Sequence, residues 1–305
     1  MKIRVLGSAA GGGFPQWNCN CQMCKGQRDG SIDALARTQS SIAVSIDGID
    51  WALINTSPDI LDQLKANPDL QPARGIRDTG ISSIVLMDAQ IDHTTGLLML
   101  RENQSKLPIW CTSAVHEDLT TGNPLFKVLS HYCDIDWKEI IPGNTHTDID
   151  GISDVSVNIL PLTSNAPPYS PRRDKPIPGD TIGLLMRDAT SGKQLFYAPG
   201  LGEMESHVWA AMQTADVIMV DGTLWSDDEM ITAGAGSKTG KSMGHLAQSG
   251  TDGMLQWLDQ LPAQTRKILI HINNTNPILN PASAEAKELQ THGVEIAYDG
   301  MHIEI

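Results

Sequence analysis

Potential metal donors cluster behind one apolar segment. Ile84-Val85-Leu86-Met87 reads as a buried strand, and it stops at Asp88-Ala89-Gln90-Ile91-Asp92-His93, ahead of Thr94-Thr95-Gly96 and an apolar helix start. Two more donors stand at strand ends. Asp221 closes Val217-Ile218-Met219-Val220, and His271 closes Ile268-Leu269-Ile270. Strands of one parallel sheet bring such ends to a common edge. Asp92, His93 and His271 are therefore candidate ligands of one ion. Asp221 either joins them or orients one of them. Two imidazoles and one carboxylate form the ligand set of non-haem Fe(II) oxygenases, which leaves positions open for O2 and substrate; Zn and Mn suit the same donors.

A second cluster is Cys19-Asn20-Cys21-Gln22-Met23-Cys24, three of the five cysteines within six residues. Three thiolates on one tight loop pre-arrange three corners of a tetrahedron, the geometry of a closed structural zinc site. The fourth ligand must come from elsewhere in the chain. Cys111 and Cys133 read as small buried apolar residues.

His245, in Met243-Gly244-His245-Leu246, is placed to donate to a substrate oxygen or to shuttle a proton, or else simply opens a helix. The cations available to an acidic substrate lie on two irregular stretches. Arg172, Arg173 and Lys175 belong to residues 163–178, which hold five prolines. Lys238 and Lys241 belong to the Gly-rich residues 232–243. Long irregular loops inside a compact domain are commonly functional lids. Two glycine-rich runs look like phosphate-binding motifs and lack the context. No helix follows residues 7–13, and no strand precedes residues 235–242.

The elements that must hold these groups alternate between strand and helix patterns. Strands are expected at 2–6, 41–46, 51–55, 84–87, 109–111, 155–160, 182–186, 194–198, 217–220, 267–272, 294–297 and 302–305. Asp47-Gly48 is the turn of a hairpin. Helices are expected from Ser57 as N-cap with Pro58 in the first turn, and at 94–102, 115–121, 125–132, 203–213, 246–261 and 281–291. Two β-rich halves, each followed by helices, predict one α/β domain over 1–305, a four-layer sandwich. The formal charge of −14 argues against a nucleic-acid or anionic-membrane surface. No apolar run approaches the ~20 residues of a membrane span, and the first residues are too short an apolar run for a signal peptide, so a cytoplasmic location is expected.

Asp88-x-Gln90-x-Asp92-His93 resembles the metallo-β-lactamase superfamily signature His-x-His-x-Asp-His, with Asp88 and Gln90 in place of two histidines. The resemblance implies that superfamily's αββα sandwich. It also implies a dismantled first metal site. Asp88, Gln90 and Ser164 or Asn165 stand at its ligand positions, and Pro199-Gly200 occupies the place of the bridging carboxylate. The second site survives as Asp92, His93 and His271. Two-metal hydrolysis clamps the attacking and leaving oxygens together, and the altered set lacks the residues for it. In related phosphodiesterases a later histidine completes the cysteine site; here Asn274 holds that position.

Longer segments, residues 7–24, 88–96, 243–246 and 271–277, resemble the pyrroloquinoline quinone (PQQ) biosynthesis protein B family. That resemblance implies work on a precursor built from a peptide's Glu and Tyr. The expected activity is iron- and O2-dependent hydroxylation of the tyrosine ring. The alternatives are a carrier assisting transport of PQQ or its precursor to the periplasm, and a residual metal-dependent hydrolase. Other proteins of the pathway are expected partners, and a homodimer is compatible with the resemblance.

Overall fold

The computed structural model describes all residues, 1–305. Its fourteen strands are β1 Lys2–Gly7, β2 Ser41–Ser45, β3 Trp51–Ile54, β4 Ile81–Val85, β5 Leu107–Cys111, β6 Ile135–Glu139, β7 Thr145–His146, β8 Val155–Pro161, β9 Ile182–Asp188, β10 Gln194–Ala198, β11 Val217–Asp221, β12 Arg266–Ile270, β13 Val294–Ile296 and β14 His302–Glu304. They form two seven-stranded sheets, ordered β14-β1-β2-β3-β4-β5-β6 and β13-β12-β11-β10-β9-β8-β7. Every residue of β2, β3 and β11 is buried, as expected of strands covered on both faces. One apolar cluster fills the space between the sheets, with Ile3, Val5, Ile42 and Ile54 facing Val157, Ile159, Leu184 and Met219. Two further clusters join the outer faces to helices. The result is the four-layer αββα sandwich of the β-lactamase fold.

Within each sheet the parallel block sets the direction. β3 to β6 run parallel, and so do β10 to β13. Their carboxyl ends open on one edge. Asp88 leaves β4, Gly200 leaves β10, Asp221 ends β11 and His271 leaves β12.

Several local expectations are corrected. Residues 246–261 are not one helix; only Met254–Leu258 is helical. Leu246 N–H instead donates to Leu201 O, and Gly250 and Asp252 adopt positive φ ahead of it. The helix expected from Ser57 begins at Ile60, because the Ser57 hydroxyl accepts from Asp59 N–H and holds a turn. Residues 94–102 are a short α-turn, Ile91–Thr94, followed by the 3₁₀ segment Thr95–Leu100. Several elements are additions, among them β7, the short helices Glu229–Thr232 and Gly240–Met243, and two others. β6 is a charged edge strand in which Ile135 and Trp137 pack inward between Asp136 and Lys138, and the helix Gln22–Asp29 is capped by the Cys21 sulfur.

Candidate metal centre

Asp92, His93 and His271 converge with ligand atoms within 4.8 Å of one another. His93 Nε2 lies 3.7 Å from Asp92 Oδ2, and His271 Nε2 lies 3.4 Å from the same oxygen. The two rings meet edge to face with centroids 5.3 Å apart. Each imidazole is held from behind. His93 Nδ1 sits 2.8 Å and 2.9 Å from the two Asp88 oxygens. His271 Nδ1 is 2.9 Å from Thr223 Oγ1, which donates to the His271 carbonyl and so accepts from the ring. Both rings therefore carry the proton on Nδ1 and turn Nε2 to the same space, the tautomer a metal ligand needs.

His93 Nε2 is buried without a hydrogen-bond partner. A buried ring nitrogen with no partner carries a desolvation cost that a bound cation would relieve. This orphaned atom, beside a carboxylate and the Nε2 of His271 that leans on it, fits a divalent ion. Without one, burial opposes charge on His93, but Asp88 and Asp92 outweigh it and push the ring up to about 9. The two histidines likewise hold Asp92 well below the usual carboxylate range against its burial. Backbone geometry contributes too. His271 adopts φ +63°, a conformation L side chains rarely take. A Cβ added to Gly11 would stand 3.2 Å from Asp92 Oδ2, so the Gly-rich turn is a close wall of the site.

The opposite side of the pocket holds no such set. Asp88 is committed to His93 and to the Gln90 amide. Gln90 Nε2 donates to Asn165 O at 3.1 Å. Ser164 donates to Gly244 O, and Gly200 brings no donor.

Asp221, His245 and His271 form a second group whose ligand atoms lie within 4.8 Å of one another, and Asp221 is also tied to its neighbours. Its Oδ1 accepts from Thr223 N–H and its Oδ2 from Leu201 N–H, while His245 Nδ1 lies 2.6 Å from Oδ2. Burial would raise its pKa, but His245 lowers it; in return Asp221 raises His245 against burial. His245 stacks on His271 at 5.4 Å and lines the pocket.

That pocket is a cavity of about 280 Å³ whose walls include Arg173, Lys238 and the metal donors. Lys241 lines an adjoining cavity, and Lys175 is exposed. The expectation that Arg172 binds substrate is corrected. Its guanidinium bonds Asp180 at 2.7 Å, Glu117 at 2.5 Å and the Ala114 carbonyl at 2.8 Å, with Asp118 at 2.9 Å. Asp118 and Asp180 are almost fully buried and need that countercharge. Thr223 is a supporting residue that residue type alone did not single out, while Asp88, expected at a lost ligand position, holds the His93 ring. The one available signal for Thr223 was its place two residues past a strand-end aspartate.

The thiol cluster also assembles. Cys19, Cys21 and Cys24 bring their sulfurs within 4.8 Å. Asn274 lies on it, with Nδ2 3.3 Å from Cys24 Sγ and its backbone carbonyl 3.5 Å from Cys21 Sγ. The carboxamide thus turns its nitrogen, rather than the oxygen expected to ligate zinc, toward the thiols.

Comparison with known proteins places this geometry in a family. A family profile described as a beta-lactamase superfamily domain matches residues 50–272. Coenzyme PQQ synthesis protein B of Azoarcus sp. (strain BH72) is 66% identical over 301 residues, 99% of each chain. The chain belongs to the coenzyme PQQ synthesis protein B family. The relative from Methylobacillus flagellatus is 58% identical over 99% of each chain. Among solved structures, Zn(2+)-bound PqqB from Methylobacterium extorquens superposes with a TM-score of 0.92 at 35% identity, covering all of both chains. A diphosphatase of the PhnP family, 18% identical over all of this chain and 96% of its own, shares the fold at a TM-score of 0.68. The role in PQQ synthesis and the capacity to bind metal follow from this membership and from the donor clusters. No helix is long and apolar enough to cross a membrane.

Proposed function

We propose that the protein hydroxylates the tyrosine ring of a Glu-Tyr-derived precursor of PQQ, with Fe(II) held by Asp92, His93 and His271. The observation that carries this reading is the asymmetry of the pocket. One side offers a carboxylate and two imidazole nitrogens turned to it, that of His93 unpartnered, while Asp88 and Gln90 are held by protein neighbours and Gly200 brings no side chain on the other. A metal on a two-His, one-carboxylate face supplies open coordination positions at which O2 and substrate meet.

The chain's own groups do the rest. Asp88 and Thr223 lock the two ligand rings in one tautomer. Arg173 and Lys238 on the cavity wall attract and orient carboxylates of the precursor. His245, with Nδ1 fixed on Asp221, keeps Nε2 for the pocket, where it takes the phenolic proton or returns one. In the net reaction one oxygen atom of O2 enters a ring C–H bond as hydroxyl. The other leaves as water with two protons and two electrons. The sequence carries no flavin or nicotinamide motif, so the electrons come from an added reductant or from the substrate. The zinc named for the M. extorquens relative fits the same donors, as Zn and Fe(II) share imidazole and carboxylate ligands. In this reading the thiol loop keeps a zinc of its own.

The test is an oxygen-electrode trace with protein loaded anaerobically with Fe(II), a reductant and a tyrosine-containing precursor. The proposal expects O2 uptake matched by a product heavier by one oxygen atom, lost in His93→Ala. A flat trace together with tight binding of finished PQQ would replace it with the carrier reading.

A further inference from the structure

The amino-terminal ends of the parallel strands carry a second concavity, at the far side of the sheet from the metal pocket. Ile81 opens β4 and Leu107 opens β5, and both line a groove of about 820 Å³ together with Leu61, Leu64, Leu70 and Met99. The helix Ile60–Ala66 contributes one wall, and the end of the 3₁₀ segment Thr95–Leu100 contributes the other. Leu61 is 45% exposed and Met99 36%, so the apolar lining is open to water. Contiguous apolar surface in an open groove marks an interaction site.

The rim of this groove carries its own plug. Ile76 stands fully exposed on the loop that leads from Leu70 to β4. The loop is nonetheless held. Asp78 Oδ2 accepts from Ala73 N–H at 3.1 Å and from Arg74 N–H at 2.8 Å. The Arg74 guanidinium donates to Asp50 and to the Thr79 carbonyl, both at 2.7 Å. A branched apolar side chain on a loop already ordered loses little conformational freedom on docking. Arg77, its neighbour, lines the groove without an ion pair in its own chain. Glu102 lines the same groove, and its one cationic neighbour is the adjacent Arg101 at 3.7 Å.

A knob beside a hole makes this face complementary to itself. A two-fold axis between them seats the Ile76 of each copy in the groove of the other, so both contacts form together. The same rotation carries the Arg77 of one copy to the Glu102 of the other. An unrelated chain would have to bring its own knob and would leave Ile76 in water. We infer that this face joins two copies of the chain, with Ile76 as the anchor and Arg77 with Glu102 setting the register. The groove has 19 lining residues, and with its loop it reaches the roughly 20–30 residues that each side of a stable interface supplies. The two metal pockets then lie at opposite ends of the pair and stay open. Nothing in this inference depends on the hydroxylase reading.

Sedimentation equilibrium on the full-length, zinc-loaded protein tests it, with wild type, Ile76→Glu, Arg77→Glu, Glu102→Arg and the double reversal Arg77→Glu with Glu102→Arg. All three positions are exposed, so the fold should survive, and melting curves check that it does. Wild type should be a dimer at micromolar concentration. Ile76→Glu should raise the dimer dissociation constant by about 30-fold or more, the loss expected of a central anchor. Each single reversal should weaken the dimer by about fivefold, and the double reversal should return it to within about twofold of wild type. A wild type that stays monomeric at tens of micromolar leaves the groove to some other chain and overturns the inference. A dimer indifferent to Ile76→Glu, or a double reversal no tighter than its single reversals, overturns it as well.

Discussion

The two sides of the metal pocket share a fold position and differ in what their side chains are free to do. On one side His93 Nε2 is buried with no partner, and Asp92 and His271 turn their donor atoms to the same point. On the other, Asp88 and Gln90 are spent on hydrogen bonds to His93 and Asn165. Donor atoms that converge on one point around an unpartnered nitrogen mark a metal site, whereas donors spent on separate protein neighbours mark a support. The lost side has become a buttress for the kept one: Asp88 fixes His93, and Gln90 fixes the 163–178 loop that roofs the pocket.

The strongest way to break this comparison is to remove one group from each side. His93→Ala should weaken Fe(II) binding in the pocket by more than about 1000-fold, because a ligand is gone. Asp88→Asn should weaken it by about 10–100-fold, the range for an outer partner of a ligating histidine. Anaerobic metal titration checks both, and equal losses would mean that Asp88 is itself a ligand.

Arginines 172 and 173 sharpen the contrast on the roof. Arg172→Ala should cost about 3 kcal/mol of stability by leaving Asp118 and Asp180 buried without a countercharge, read as a shift in urea midpoint. Arg173→Ala should leave stability near wild type and raise KM about tenfold. A stable Arg172→Ala protein with raised KM would return Arg172 to the substrate.

The thiol cluster is a second, closed site against which the open one can be judged. Cys21→Ser keeps an oxygen to cap the helix Gln22–Asp29 but loses a thiolate. It should bind one zinc fewer per chain and melt about 5 °C lower, while iron binding in the pocket persists. Unchanged zinc content would remove the structural zinc from the account.

Glu229 offers a smaller, pH-dependent effect away from both sites. Burial pushes its carboxyl up to about 7, against hydrogen bonds from Thr275 and the Trp225 amide. The folded state therefore keeps a proton that the unfolded chain has released, and this group's contribution to stability falls as pH rises from about 4.5 through about 7. Glu229→Gln should flatten that decline by on the order of 1–2 kcal/mol in denaturant titrations at pH 5 and pH 8. Parallel curves for the two proteins would show that Glu229 titrates normally.

Much of this was legible in the chain. Strand-end donors are visible because an apolar run that stops at Asp or His leaves few other roles, and the cysteine spacing is too tight for chance. What stayed hidden depended on contacts across sequence. Nothing local says that Asp88 reaches back to His93 or that Arg172 is consumed by Asp118 and Asp180. Helix limits failed for a related reason. Leu246 looks like a helix start, but its N–H is taken by Leu201, and a tertiary hydrogen bond overrides the local pattern. β6 was missed because its alternation, Ile135 and Trp137 against Asp136 and Lys138, is short and diluted by three charged residues.

The central claim is that this pocket holds a single ion on one side only. Crystals grown anaerobically with Fe(II) and measured at the iron absorption edge test it most directly. The account predicts one anomalous peak per pocket, about 2.0–2.2 Å from Asp92 and from Nε2 of His93 and His271. A second peak beside Asp88 and Gln90, or a single peak away from His93, would contradict it.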